Sequence, residues 1–213
     1  MLPFTAETLF SSFEQYNRAL WPLPILALAL ALAIIILALR PVQGGGRAIG
    51  ALLAAAWVWI GVGYHYLHFA AIDFAAPLYG AFFVLEGVLF AWTGVVRGNV
   101  AFRFGADLFG WAGLALAIAA ALAWPLADLS GHGWPSLRVA GLAPGPTAAF
   151  TLGLLLLTEG RTPLHLAVIP LLWTLVAGAT AWILAIPQDL ALPLAGLCGF
   201  ALVLWKNRRQ TRA

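Results

Sequence analysis

Long apolar stretches alternate with short polar seams along the whole chain, and nearly every charged residue sits in a seam. A helix crosses the roughly 30 Å hydrocarbon layer of a bilayer in about 20 residues. Measured against that length, the pattern predicts seven spans, near 22–40, 48–70, 77–96, 106–127, 144–158, 163–186 and 190–205. The fifth is short, and Pro144, Gly145 and Pro146 open it, as suits the first turn of a helix. The expected fold is all-α, a polytopic membrane helix bundle of seven transmembrane helices forming one membrane domain over 1–213. Ahead of the spans, Leu9, Phe10, Phe13 and Tyr16 follow the capping residue Thr5 at roughly helical spacing. Residues 1–20 therefore predict an amphipathic helix that either lies on the membrane surface or docks over the bundle. With Glu7, Glu14 and only Arg18, they lack the basic start and continuous apolar core of a cleavable signal peptide and are expected to be retained.

Composition agrees with a bilayer and adds an orientation. The chain of 213 residues is 63% hydrophobic and only 9% charged, against about 25% charged in soluble domains. If the spans alternate, one side receives Arg40, Arg47, Arg97, Arg103, Arg161, Lys206, Arg208, Arg209 and Arg212, and the other only Arg18 and Arg138. Positive charge favours the cytoplasmic side, so the N-terminus is expected outside and the C-terminus inside. The net charge of +3 is small and local, without a basic, aromatic-interleaved patch, which argues against nucleic acid. The single Cys198 forms no intrachain disulfide and no CxxC motif.

Shifting the chain by 116 residues places Asp73-Phe-Ala-Ala-Pro77-Leu78-Tyr-Gly80 over Asp189-Leu-Ala-Leu-Pro193-Leu194-Ala-Gly196, both reading DxxxPLxG, and Trp57 over Trp173. The pattern divides the chain into a first triplet (21–97), a linking span (98–130) and a second triplet with a basic tail (144–213). That is a 3+1+3 parallel repeat, one recurrent way to build a secondary transporter around a site near the midplane. The competing reading is that Asp, Pro and Gly punctuate any helix start after a loop.

Glu86 is the charge out of place, alone inside a span. A carboxylate at such depth costs roughly 2.5–3.5 kcal/mol on insertion scales, so it must face the bundle interior, be protonated or be paired. It follows Tyr79, Phe82 and Phe83 and precedes Phe90 at helical spacing, an aromatic stripe. On the preceding span Gly61, Tyr64, His65 and His68 share a face. A short hairpin makes these helices neighbours, so His65 and Glu86 are a candidate proton-sharing pair; the plainer reading is a structural hydrogen bond between spans. Thr147, Thr151, Thr174 and Thr180 can bond their own helix backbones or, with Trp173, line a solute path between the triplets. On the outer face His65, His68, His132, Asp73, Asp128 and Asp189 are weak metal-ligand candidates, with only one local spacing among them.

Other classes fit poorly. The sole lysine, Lys206, lies in the C-terminal tail, where it cannot hold a retinal; His65 and His165 fall at opposite depths for a bis-histidine haem; and no phosphate-cradling loop or hydrolase motif is present. The opening MLPFTAETLFSSFEQYNRALWP, the segments GYHYLHFAAID and PTAAFTLG, and IPLLWTLVAG followed by IPQD resemble a family of small, uncharacterised bacterial multi-span integral membrane proteins. The resemblance covers most of the chain and implies a multi-pass protein of the bacterial inner membrane, of unknown activity. Taken together, the sequence favours a transporter of a small solute or ion, acting through Glu86, His65, His68, Tyr64, Thr151 and Trp173. The rivals are a membrane-embedded metal-dependent hydrolase with an outer His/Asp site, and a non-transporting sensor or assembly protein. Lipid is the one implied partner, an oligomer is compatible, and no cofactor is indicated.

Overall fold

The computed structural model describes residues 2–40, 42–131 and 133–211. Thr5 starts α1 (Ala6–Ala19), its hydroxyl accepting from the backbone N–H of Thr8. The helix α2 (Leu23–Leu39) follows at 91° to it. Then come α3 (Gly45–Trp59), α4 (Ala76–Phe90), α5 (Leu108–Gly131), α6 (Pro144–Leu156), α7 (His165–Ile183) and α8 (Ala191–Gln210). Two of these do not stop where their α-helical part ends. α3 continues as a π-helix over Ile60–Tyr66, and α4 over Ala91–Val96, with the wider i→i−5 bonds Leu67 N–H to Val62 O and Arg97 N–H to Trp92 O.

The described residues form an all-helical bundle. Five stretches are long and apolar enough to cross a membrane: Gly45–Ala71, Ala76–Val96, Leu108–Gly131, His165–Ile183 and Pro187–Gln210. Counting the bent pair of α1 and α2 makes six. Apart from α1, the helices short of the length are α2, with 17 residues, and α6, with 13. Each falls where the hydropathy pattern predicts a span. Large apolar side chains stand exposed on the outside, among them Ile25, Leu78, Leu85, Leu126, Trp182 and Leu194, a surface suited to lipid and not to water.

The short α6 is the centre of the bundle. Every residue in it except Gly145 is buried, and it packs on α3, α5, α7 and α8. Its last carbonyls are met from α8, where Lys206 donates its ammonium to Leu156 O (3.0 Å), Thr158 O and Thr158 Oγ1 (3.0 Å). Asn207 bonds both backbone groups of Thr162, at 2.8 Å each. These contacts satisfy the chain where the helix has ended, as a cation at a helix C-terminus does. They also correct the placing of Lys206 in a basic tail: it is buried, within α8.

Small residues bring the helices together, as van der Waals packing requires where lipid removes most of the hydrophobic drive. A Cβ on Gly61 or on Gly80 would lie 2.8 Å from the other's carbonyl oxygen, so α3 and α4 meet backbone to backbone there. At Gly196 a Cβ would overlap the side chain of Thr174, and α8 closes on α7 by the same means.

Candidate functional site

The amphipathic α1 docks over one end of the bundle, the outer end on the predicted topology. Leu9, Phe10, Phe13, Tyr16 and Asn17 are its buried face. Asn17 donates to Pro135 O (2.8 Å) and Leu137 O (2.7 Å), Ser136 donates to Glu14 (3.1 Å), and Trp59 on α3 donates to the Tyr16 hydroxyl (2.7 Å). The helix is thus tied both to α3 and to the α5–α6 loop.

Beneath it lies a buried charge cluster. The Arg138 guanidinium, 4% exposed, bonds Asp128 from Nε (3.2 and 3.1 Å) and Nη2 (2.7 Å), and Asp189 from Nη1 (2.5 Å). Asp128 also accepts the Arg138 backbone N–H at 2.9 Å, and Asp189 accepts from Trp124 at 2.8 Å. The face of the guanidinium lies 5.1 Å from the Phe10 ring. Burial opposes the charge on Arg138, but its hydrogen bonds to Asp128 and the fields of both aspartates outweigh this and raise its pKa. The cluster joins α5, the α5–α6 loop, the start of α8 and α1 at one point. The sequence reading took Asp128 and Asp189 as weak metal-ligand candidates and Arg138 as one outer charge; the available signal was that Arg138 is the sole Arg or Lys between Arg103 and Arg161.

Beside the cluster, α1, α3, α4, α6, α7 and α8 line a cavity of about 80 Å³. Aromatic rings form much of its wall. Tyr64 stacks between Phe13 (4.8 Å) and Phe69 (5.4 Å), and Tyr79 meets Trp173 edge-on at 5.4 Å. Arg138, Asp73 and Asp189 supply its charge. Asp73 accepts the Ala75 N–H at 2.9 Å, a side-chain turn two residues long just ahead of α4.

His65 and Glu86 are sealed behind this wall. Both are 0% exposed. The His65 ring is surrounded by Phe83 (4.7 Å), Trp173 (5.1 Å), Tyr64 (5.3 Å), Phe69 and Tyr79 (both 5.9 Å). Neither ring nitrogen of His65, neither carboxylate oxygen of Glu86 and not the Trp173 indole N–H has a hydrogen-bond partner. No direct hydrogen bond therefore joins His65 to Glu86. Along α4 the cavity-lining Tyr79, then Phe83, Glu86 and Phe90 follow one inward face, and Glu86 sits about 10 Å beyond Tyr79 at ~1.5 Å per residue. Phe82 does not share the face; it is 46% exposed.

The remaining candidates are occupied in other ways. The His68 Nδ1 lies 2.7 Å from Gly63 O and its ring packs on Tyr16. Thr151 donates to Thr147 O (2.8 Å) and accepts from Trp57 (3.1 Å), holding α3 to α6, and Thr147 and Thr174 donate to their own helix. His165 pairs with Thr93 at 3.0 Å. Among the described residues no group of three or more His, Cys, Asp or Glu is placed to hold a metal ion; His132 lies outside the described residues.

The fold and site define a bundle of membrane-length helices with ionisable groups sealed in its core beneath an aromatic cavity. The chain belongs to the Family of unknown function (DUF6064), whose model matches residues 6–213. No curated protein and no solved structure matches it.

Proposed function

We propose that the protein is a transporter of a small solute, crossing the bacterial inner membrane seven times with its N-terminus outside and its C-terminus cytoplasmic. The solute enters the cavity under α1, and Glu86 and His65 exchange protons as the aromatic wall rearranges around it. The single observation that carries this reading is the pair of fully buried, unpartnered ionisable groups lying behind the wall of a cavity. Leaving such groups unsatisfied costs about 1–3 kcal/mol or more each, and intramembrane ionisable residues mark ion and substrate paths.

The seven-crossing topology draws support from the environment of α6. Thirteen α-helical residues reach only about 20 Å at ~1.5 Å each, but a helix that touches no lipid need not match the bilayer. Non-helical backbone at membrane depth is tolerated where protein satisfies it, as Lys206 and Asn207 do beyond one end of α6. On this topology α2–α4 and α6–α8 are the two parallel triplets, α5 links them, and α4 meets α7 between them.

Uptake by proteoliposomes under an imposed pH gradient tests the proposal, with a radiolabelled panel of amines, amino acids and sugars. Uptake of one class is expected, falling at least tenfold in Glu86→Gln at equal protein incorporation. Undiminished uptake in that variant removes Glu86 from the mechanism, and exclusion of the whole panel removes the transport reading.

A further inference from the structure

The charge on the cavity walls is unbalanced, and in one direction. Three carboxylates, Asp73, Asp128 and Asp189, stand at or directly behind the wall, against the one guanidinium of Arg138. That guanidinium is not available to a ligand. Each of its three nitrogens bonds an aspartate, and its face is turned to Phe10. An anion entering the cavity would meet no free donor charge here and an excess of negative charge.

Asp73 is differently placed. Its Oδ1 takes the Ala75 N–H, and among the described residues no ion pair neutralises the carboxylate. Within the same cavity stand Phe69, Tyr79 and Trp173, and the negative face of an aromatic ring attracts a desolvated cation. Carboxylate and aromatic wall together form the recognition chemistry used for ammonium groups: the rings replace the hydration of the alkylated part, and the carboxylate balances the charge. A neutral sugar would call instead for several free hydrogen-bonding side chains, and the lining offers mostly apolar surface.

We infer that the cavity under α1 binds a small organic cation, an alkylated amine or quaternary ammonium compound, with Asp73 as its counter-charge and the Tyr79 and Trp173 rings as its cage. This rests on the reading of that cavity as the solute site and names the class of solute it takes. A metal cation is the poorer fit, because the wall is aromatic and no three ligating side chains converge among the described residues.

Calorimetric titration of the detergent-purified protein with choline, and separately with tetramethylammonium, tests the inference without any transport step. Saturable binding is expected, weakening at least tenfold in Asp73→Asn, whose amide oxygen can still accept the Ala75 N–H, and also in Tyr79→Leu. Acetate and glucose are expected to give no saturable heat. The inference is overturned if neither cation binds, if Asp73→Asn and the parent bind them equally, or if acetate binds more tightly than choline. Binding that persists in a protein inactive in proteoliposomes would leave the cation site standing and remove transport; uptake of another solute class with no cation binding would do the reverse.

Discussion

Replacing Arg138 by methionine puts the end of the bundle under α1 to a quantitative test. Arg138 is 4% exposed, Asp128 0% and Asp189 12% at the side chain, so the three charges are held with almost no water. The substitution deletes every side-chain donor to Asp128 and leaves it only the Arg138 backbone N–H, while Asp189 keeps Trp124 alone. Breaking a buried ion pair by removing one partner costs about 3–5 kcal/mol, mostly because a charge is left buried and uncompensated. At roughly 2–4 °C per kcal/mol for a chain of this length, the melting temperature should fall by about 6–20 °C. Tryptophan fluorescence during heating of the detergent-purified protein reads this directly. The penalty comes from the stranded carboxylates, so adding Asp128→Asn and Asp189→Asn to Arg138→Met should recover much of the loss. A single variant that melts within about 1 °C of the parent, or a triple variant less stable than the single one, would refute the reasoning.

Three further outcomes follow from particular contacts. Lys206→Met strips the cation from the carbonyls of Leu156 and Thr158, and a loss of about 1–3 kcal/mol is expected in the same melting assay. Gly80→Ile forces a side chain into the Gly61 backbone of α3; it should separate the hairpin and abolish recovery of monodisperse protein on size-exclusion chromatography, whereas Leu78→Ile on the exposed face should not. Since the pKa of Arg138 is raised in the folded protein, its contribution is fully present below the ordinary arginine value and is lost only above it. The destabilisation caused by Arg138→Met should therefore be the same at pH 7 and pH 9.

Much of the helical layout was legible because hydropathy reports the environment of a whole segment. Predicted spans at 144–158 and 163–186 lie over α6 (Pro144–Leu156) and α7 (His165–Ile183), and Thr5 with Leu9, Phe13 and Tyr16 announced α1. What was not legible depends on residues distant in sequence. Asp128, Arg138 and Asp189 each look like ordinary loop residues alone, and only the packing of α5, α8 and the α5–α6 loop joins them. Lys206 reads as part of a basic tail because nothing local shows that α6 ends early beneath it. The π-helical turn over Ile60–Tyr66 likewise lies outside α-helical spacing rules, yet it carries Tyr64 and His65 on the buried side. Of the candidate site, the sequence singled out Glu86 and His65 as a pair and Trp173 as a lining residue; the aromatic enclosure of His65 and the absence of a hydrogen bond from it to Glu86 required the third dimension.

Solute-linked proton movement is the most direct test of the proposed function. Choline would be added outside proteoliposomes holding a trapped pH-sensitive dye, with radiolabelled choline uptake followed in parallel. Choline is expected to enter, the internal pH to shift as it does, and Glu86→Gln to lose the pH shift. Choline entry with an unmoved internal pH, an equal pH shift in Glu86→Gln, or vesicles that exclude choline altogether would contradict the proposed function.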